Sequence, residues 1–322
     1  MEKLPQISIV IPLYNEEKVF DKLIGRINAV IQDLSFAVEV VLVNDGSRDR
    51  TAELMYHLAL SDGRYHAVFL SRNHGHQLAV SAGMASARGT EGIMIMDGDL
   101  QDPPELISKF YDEMKAGNEV IYAIRKKRKE GPFKRFAYWA YYRLQKQIAN
   151  LDIPLDSGDF SMMSRRVVNE LIAMPERSRY IRGMRTWVGF KQKGIEYERD
   201  GRAAGEAKYT LKKLMQLAFN GIFNFSEFPV KIITRLGLLT ILLSTIYIGY
   251  VLIKKIFFGP VPEGFLTTVV AITLFSGVQL IALGLIGEYV LRIYDQVRNR
   301  PLFIIDKKII DKTEVSGEKL LP

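Results

Sequence analysis

Apolar residues are distributed along this chain in two unlike ways. Through the first two hundred positions they come in short, β-branched runs: Ile7–Leu13, Val38–Val43, Ala67–Leu70, Gly92–Met96 and Glu119–Ala123. Each has the length of a buried strand. Helical stretches separate them, notably Lys18–Ile31, Thr51–Leu60, Leu78–Ala87 and Glu105–Met114. Strands alternating with helices predict an α/β domain with a mainly parallel sheet, covered on both faces through right-handed crossovers. In the last third the apolar residues are bunched instead. Leu236–Ile253 and Phe265–Gly287 are uncharged runs of 18 and 23 residues. As helices they measure about 27 and 35 Å, against roughly 30 Å of bilayer hydrocarbon. Buried helices of soluble domains seldom run so long without a charge, so two membrane spans are expected.

The connection Lys254–Gly264 holds Gly259, Pro260, Pro262 and Gly264, which predicts an antiparallel hairpin. Lys208, Lys212, Lys213, Lys231 and Arg235 precede it; Arg292, Arg298, Arg300, Lys307 and Lys308 follow; the turn has only Lys254 and Lys255. This bias places both termini and the N-terminal domain in the cytoplasm, in an integral protein of the cytoplasmic membrane. The start, Met-Glu-Lys-Leu-Pro-Gln, shows no apolar stretch of a secretory signal. Tyr209–Phe228 has apolar residues at helical spacing with Lys212 and Lys213 on one edge, as in an interfacial helix. The expected division is an α/β domain over 1–207, a juxtamembrane helix over 208–231, the two-span hairpin over 232–291 and a tail over 292–322. The polar end of that tail, from Asp311, is expected to be mobile.

Composition narrows the chemistry. With no cysteine, the chain has no disulfide framework, no Cys-ligated metal and no thiol nucleophile. Lys plus Arg number 44 against 36 acidic residues, and the surplus of +8 suits an anionic partner. Seven of those cations fall within Arg125–Arg135. That cluster suits phosphates and acidic headgroups; no nucleic-acid-binding module accompanies it.

Ligands of parallel sheets bind at the carboxyl ends of the strands. No G-x-G-x-x-G follows the first strand, and no G-x-x-x-x-G-K-[ST] occurs, so the dehydrogenase and P-loop fingerprints are missing. The first strand leads into Pro12-Leu13-Tyr14-Asn15-Glu16, the second into Asn44-Asp45-Gly46-Ser47-Arg48-Asp49, and the fourth into Asp97-Gly98-Asp99-Leu100-Gln101-Asp102-Pro103-Pro104. Singly these read as turns and a helix cap. Two carboxylates two residues apart at a strand end can aim oxygens into one crevice, where a hard divalent cation bridges them to phosphates.

PLYNE, VNDGSRDRT and MDGDLQDPPE, each after a strand and in this order, resemble the family 2 glycosyltransferases of the GT-A fold. DLQDPPE, the later GEAKY and the hairpin resemble more closely the polyprenyl-phosphate branch, which includes dolichyl-phosphate mannose synthase and bacterial undecaprenyl-phosphate glucosyltransferases. The resemblance covers roughly residues 5–300. It implies that Pro12, Tyr14, Glu16, Val43 and Asp45 line a nucleoside pocket. Asp97 and Gly98 would then sit by the ribose and diphosphate, with Asp99 and Gln101, beside Asp97, holding Mg²⁺ or Mn²⁺. Gly98 stands where the family often has Ala, a change expected to be tolerated. Arg125 and Arg135 would contact the donor diphosphate and acceptor phosphate, as would Arg202 and Lys208 in R-x-x-G-E-A-K-Y. Asp156-Ser157-Gly158-Asp159-Phe160 would be the acceptor-side motif, with Asp156 or Asp159 near the attacking oxygen.

The function implied is transfer of a sugar, first of all glucose from UDP-glucose, to a polyprenyl phosphate such as undecaprenyl phosphate, with inversion. Partners would be the nucleotide sugar, the lipid phosphate and the membrane; self-association would bury more of so small a membrane unit. A processive polysaccharide synthase is one rival, but its Q-x-x-R-W motif is replaced here by Gly183-Met184-Arg185-Thr186-Trp187. The other rival is a non-catalytic nucleotide-binding regulator, which has no need to keep Asp97, Asp99 and Gln101 together.

Overall fold

Strand β1 (Ile7–Leu13) is buried at every position, as a central strand covered on both faces must be. In the computed structural model, which describes residues 4–125, 157–177, 179–198, 228–259 and 264–316, it pairs in parallel with β2 (Val38–Asn44) and β4 (Gly92–Ile95). Beyond β2 lies β3 (Tyr65–Leu70), also parallel. Helices α1 (Glu17–Gln32), α2 (Thr51–Ser61) and α3 (His76–Ser86) occupy the anticipated connections. A 3-10 turn at Pro104–Leu106 opens α4 (Ile107–Lys115).

The remaining strands are β5 (Val120–Arg125), β6 (Ser157–Ser164) and β7 (Gln192–Tyr197), with α5 (Arg165–Ala173) and α6 (Ile181–Trp187) between the last two. The sheet order is β7-β5-β6-β4-β1-β2-β3, with β8 (Ile305–Ile310) and then β9 (Thr313–Ser316) beyond β3. Parallel pairing therefore rules its centre, while β6 enters antiparallel between β4 and β5. Because β6 runs the other way, its first residues emerge at the same edge as the last residues of β4 and β5. That reversal sets acidic residues from separate parts of the chain side by side.

The C-terminal segment departs from expectation. After the hairpin the chain forms β8 (Ile305–Ile310), antiparallel to β3, and β9 (Thr313–Ser316). The tail expected to be mobile from Asp311 is thus an ordered turn at Asp311 and Lys312 and strand from Thr313 to Ser316. Strand propensity alone is weak in IDKKII and TEVS; pairing with β3 supplies what the pattern lacks. The described residues form two compact units, one holding 300–316 together with those before 200, the other holding 228–299.

In the second unit, α7 (Phe228–Phe258) and α8 (Phe265–Val297) have 31 and 33 residues and contact one another. The first begins inside the segment assigned to a juxtamembrane helix, and the rest of that segment lies outside the described residues. Leu274–Val297, 24 residues of mean hydropathy 1.7, is long and apolar enough to cross a membrane. Two of its three charged residues offset one another, since Arg292 Nε donates to Glu288 Oε1 at 2.9 Å one turn away.

A buried polar cluster fastens the returning strands. Glu39 of β2 accepts from Ser8 Oγ (2.6 Å) and from the backbone N–H and Nε of Arg88 (2.5 and 2.9 Å). The far side of the Arg88 fork donates to both carboxylate oxygens of Asp311, at 2.7 and 2.9 Å. Burial pushes the His66 imidazole down, so the neutral ring can accept from Arg88 Nη2 at 2.9 Å. Hydrogen bonding to Arg88 holds Asp311 below the usual carboxylate range. A carboxylate depressed on folding stabilises fully above its unfolded pKa and loses that contribution as pH falls through the folded one. Asp311→Asn is therefore expected to lower the melting temperature of the full chain at pH 7. The loss corresponds to roughly 1 kcal/mol for this half-exposed pair, and the gap from the parent should begin to narrow on acidification below about pH 4. A gap in thermal unfolding that does not narrow as the pH is lowered further would contradict the assignment.

Candidate functional site

At the carboxyl edge of the sheet, the loops after β1 and β2 are laced together. Asn15, with φ of 54°, accepts from Arg48 N–H at 2.8 Å, and its own N–H donates to Ser47 Oγ at 3.1 Å. Glu16 N–H donates to Thr51 Oγ1, and Asp49 accepts from the N–H groups of Glu17 and Thr51. Gly46 adopts φ of +67° where the loop after β3 presses on it; a Cβ there would stand 2.5 Å from Asn73 N. Only glycine fits both constraints.

Asp45, buried at the end of β2, accepts from the N–H groups of His74 (2.7 Å) and Gly75 (3.0 Å). Burial raises its pKa, and those two N–H groups oppose the rise. Its carboxylate thus organises the turn from β3 into α3. Pro12 and Val43 sit opposite each other in the β1–β2 register. The Val43 side chain is fully buried, 3.0 Å from where a Cβ on Gly83 of α3 would stand, so it belongs to packing beneath that helix.

The loop after β4 is folded back on itself. Asp99 Oδ1 accepts from Gln101 N–H at 3.1 Å. Between them Leu100 takes φ of 62°, unusual for a branched side chain and sustained by burial of its isobutyl group. Buried Asp102 accepts from Tyr197 Oη at 2.9 Å and lies 3.4 Å from Asp97 N. Tyr197 in turn packs on Phe160, and Phe160 on Phe110, so an aromatic row from α4, β6 and β7 floors the acidic loop. Gly98 abuts the end of β1. An added Cβ would meet Leu13 Cδ2 at 2.3 Å, so Ala there requires the Leu13 side chain to turn aside.

Across the edge, Asp159 of β6 is the electrostatic hub. Its carboxylate accepts from Gln77 Nε2 at 2.9 Å and lies 3.5 Å from both His76 Nε2 and Arg182 Nη2. Burial alone would raise this carboxyl, but Arg182 and His76 reverse the effect and hold it well below the usual range. The His76 ring also lies 3.6 Å from Asp97 Oδ1. Burial disfavours its charged form, yet Asp159 and Asp97 outweigh burial and raise it to about 9. Gln77 Oε1 accepts from Ile181 N–H at 2.8 Å, fixing the start of α6. Acids from β4 and β6 are thereby joined through the first turn of α3.

Asp97, Asp99 and Gln101 offer oxygen donors, the type a hard divalent cation takes. Among the described residues, no group of three or more His, Cys, Asp or Glu is placed to hold a metal.

Residues 8–172 match the model of glycosyl transferase family 2, and residues 228–293 match the GtrB C-terminal hairpin. The chain belongs to glycosyl transferase family 2. Among relatives of this glycosyltransferase, the "Uncharacterized glycosyltransferase YkcC" of Bacillus subtilis (strain 168) is 43% identical, over 95% of each chain. The "Prophage bactoprenol glucosyl transferase homolog" of Escherichia coli (strain K12) is 36% identical, covering 94% of this chain and 99% of its own. A "SfII prophage-derived bactoprenol glucosyl transferase" of Shigella flexneri is 36% identical, over 94% and 98%.

In this glycosyltransferase the fold brings Asp97, Gly98, Asp99, Gln101 and Asp159 to one edge of the sheet. Arg125, ending β5, reaches the same edge, with Nη2 3.2 Å from where a Cβ on Gly158 would stand. Pro12, Tyr14, Glu16 and Asp45 border it from β1 and β2. Arg135, Asp156, Arg202 and Lys208 lie outside the described residues. Sequence reasoning passed over His76, Gln77, Asp102, Arg182, Arg185 and Tyr197. The strand-end rule, applied to β3 as to its neighbours, points to the first two; Asp102 lies within the strand-end motif after β4 without having been given a role, and Arg182, Arg185 and Tyr197 carry no local signal. Asp45→Ala leaves the His74 and Gly75 N–H groups short of an acceptor. It is expected to cost about 1–3 kcal/mol, read as a lower melting temperature, with Asp45→Asn recovering part of the loss because its amide oxygen can still accept.

Proposed function

We propose that this family 2 glycosyltransferase transfers glucose from UDP-glucose to a polyprenyl phosphate at the cytoplasmic face of the membrane. The relatives named for bactoprenol glucosyl transfer, aligned over nearly their whole length, carry this reading. Acidic residues from β4 and β6 meeting at one sheet edge support it, since donor and acceptor must approach each other there. The hairpin spans the bilayer twice, with both termini cytoplasmic; its apolar helices and the surrounding cations support that orientation. The catalytic domain is then held where the lipid phosphate lies.

The UDP moiety occupies the crevice bordered by Pro12, Tyr14, Glu16 and Asp45. Asp97, Asp99 and Gln101 would hold Mg²⁺ or Mn²⁺, and such an ion would supply charge neutralisation for the departing diphosphate. An acceptor phosphate oxygen attacks the anomeric carbon from the opposite face; the oxygen–carbon bond forms as the bond from carbon to the diphosphate oxygen breaks. UDP leaves and configuration inverts. With a second pKa of about 6 the acceptor is already largely ionised at neutral pH, so no strong base is needed. Asp159, surrounded by His76, Gln77 and Arg182, orients the acceptor side and takes no proton from it.

Asp99→Ala is expected to reduce transfer at least a hundredfold while leaving the protein folded and membrane-bound. The assay follows label from UDP-glucose into organic-extractable lipid with Mg²⁺ or Mn²⁺ present. Near-normal transfer by the variant would sink the metal assignment. Water-soluble polymer in place of glucose on lipid would sink the proposed acceptor.

A further inference from the structure

Gln77 engages both ends of its side-chain amide. Nε2 donates to Asp159 Oδ2 at 2.9 Å, and Oε1 accepts from Ile181 N–H at 2.8 Å. These partners fix which way the amide faces. A backbone N–H only donates and an ionised carboxylate only accepts, so the flipped amide would lose both bonds. Glutamate or lysine in its place could satisfy one partner, and methionine neither. A donor and an acceptor on one planar group of this reach is what the two partners require, and glutamine supplies it.

Asp159 is only 14% exposed, so water competes little for the bond from Gln77. That bond is also the shortest of its three cross-chain contacts, since His76 Nε2 and Arg182 Nη2 each stand at 3.5 Å. His76 stands 3.6 Å from Asp97 Oδ1 as well. The direction in which the Asp159 carboxylate points therefore bears on the ring that faces the acidic loop after β4. Gln77 itself rides on the first turn of α3, whose entry Asp45 holds through the N–H groups of His74 and Gly75. One side chain thus refers the start of β6 and the start of α6 to the turn that Asp45 organises. We propose that Gln77 is a positioning residue for sugar transfer: its amide N–H holds the Asp159 carboxylate in the place the reaction requires, and its bond from Ile181 N–H aims that amide. Turnover depends on the Asp159 bond and not on the fastening of α6 alone. The proposal rests on the sugar transfer proposed above.

The test is initial-rate transfer from UDP-glucose to undecaprenyl phosphate by the full chain in detergent, at a temperature where melting curves show every variant folded. Gln77→Met fills the space without either bond. It is expected to lower kcat roughly tenfold to a hundredfold and to leave both KM values within about threefold. Gln77→Glu keeps an acceptor for Ile181 N–H but sets a second carboxylate against Asp159, where like charges disfavour one another. Its kcat is expected to fall as far as that of Gln77→Met. Near-parental kcat for Gln77→Glu overturns the proposal, because only the fastening of α6 would then matter. A rise in KM with kcat unchanged overturns it too. Combined with Asp159→Asn, the loss from Gln77→Met is expected not to multiply, since both act through one contact. Multiplying losses would show that Gln77 acts apart from Asp159 and would overturn the proposal. A parent that transfers another sugar defeats the glucosyl reading, and the same variants then decide this proposal on that sugar. A parent that transfers no sugar to lipid defeats both.

Discussion

An ionised carboxylate with little access to water must be answered by cations or donors, and Asp159 imposes that requirement on everything near it. His76 and Gln77 answer from the first turn of α3, and Arg182 answers from α6. Through His76 the same demand reaches Asp97 on the loop after β4. Three separate connections of the chain are thereby held in one arrangement by one charge. Loss of Asp159 would remove the carboxylate that His76, Gln77 and Arg182 all face.

The direction of β6 makes this possible. Had it run parallel to β4, its first residues would have emerged at the opposite edge, away from Asp97 and Asp99. Antiparallel insertion turns the Ser157–Asp159 end toward the carboxyl edge, where the ends of β1 through β5 already lie. The aromatic row of Phe110, Phe160 and Tyr197 then supports the acidic loop from beneath, and Tyr197 satisfies buried Asp102. Leu100, held at positive φ between Asp99 and Gln101, shows that this loop is shaped against its own backbone preference.

A second constraint acts on strand β3 and what pairs with it. Glu39 cannot remain buried unless Arg88 meets it, and the free side of the Arg88 fork takes Asp311 from the turn between β8 and β9. The strands that follow the hairpin are therefore part of the same sheet as those that precede it. The apolar hairpin is an excursion from the catalytic unit, with chain belonging to that unit on both sides of it in sequence.

Much of this was legible in the residues alone. The first five strands and four helices were marked by period and by turn residues, because local burial patterns repeat at the spacing of the element. The acidic turns holding Asp45, Asp97 and Asp99 could be singled out because a parallel sheet binds its ligands at strand ends, a rule that needs only the order of elements; Gln101 entered only through the family resemblance. The uncharged runs marked where the two hairpin helices lie, although each helix extends beyond its run. Long-range partnership had no such signature. Nothing local in IDKKII says that it will pair with β3, or that Asp311 will meet Arg88. Nor does the sequence say that Gln77 will bridge Asp159 to α6 across more than a hundred residues. The sequence determined which residues could form strands, helices and acidic turns; tertiary structure decided which charges met. Burial of an ion is settled by neighbours in space, and for Asp159 those neighbours come from elements that only the folded sheet brings together.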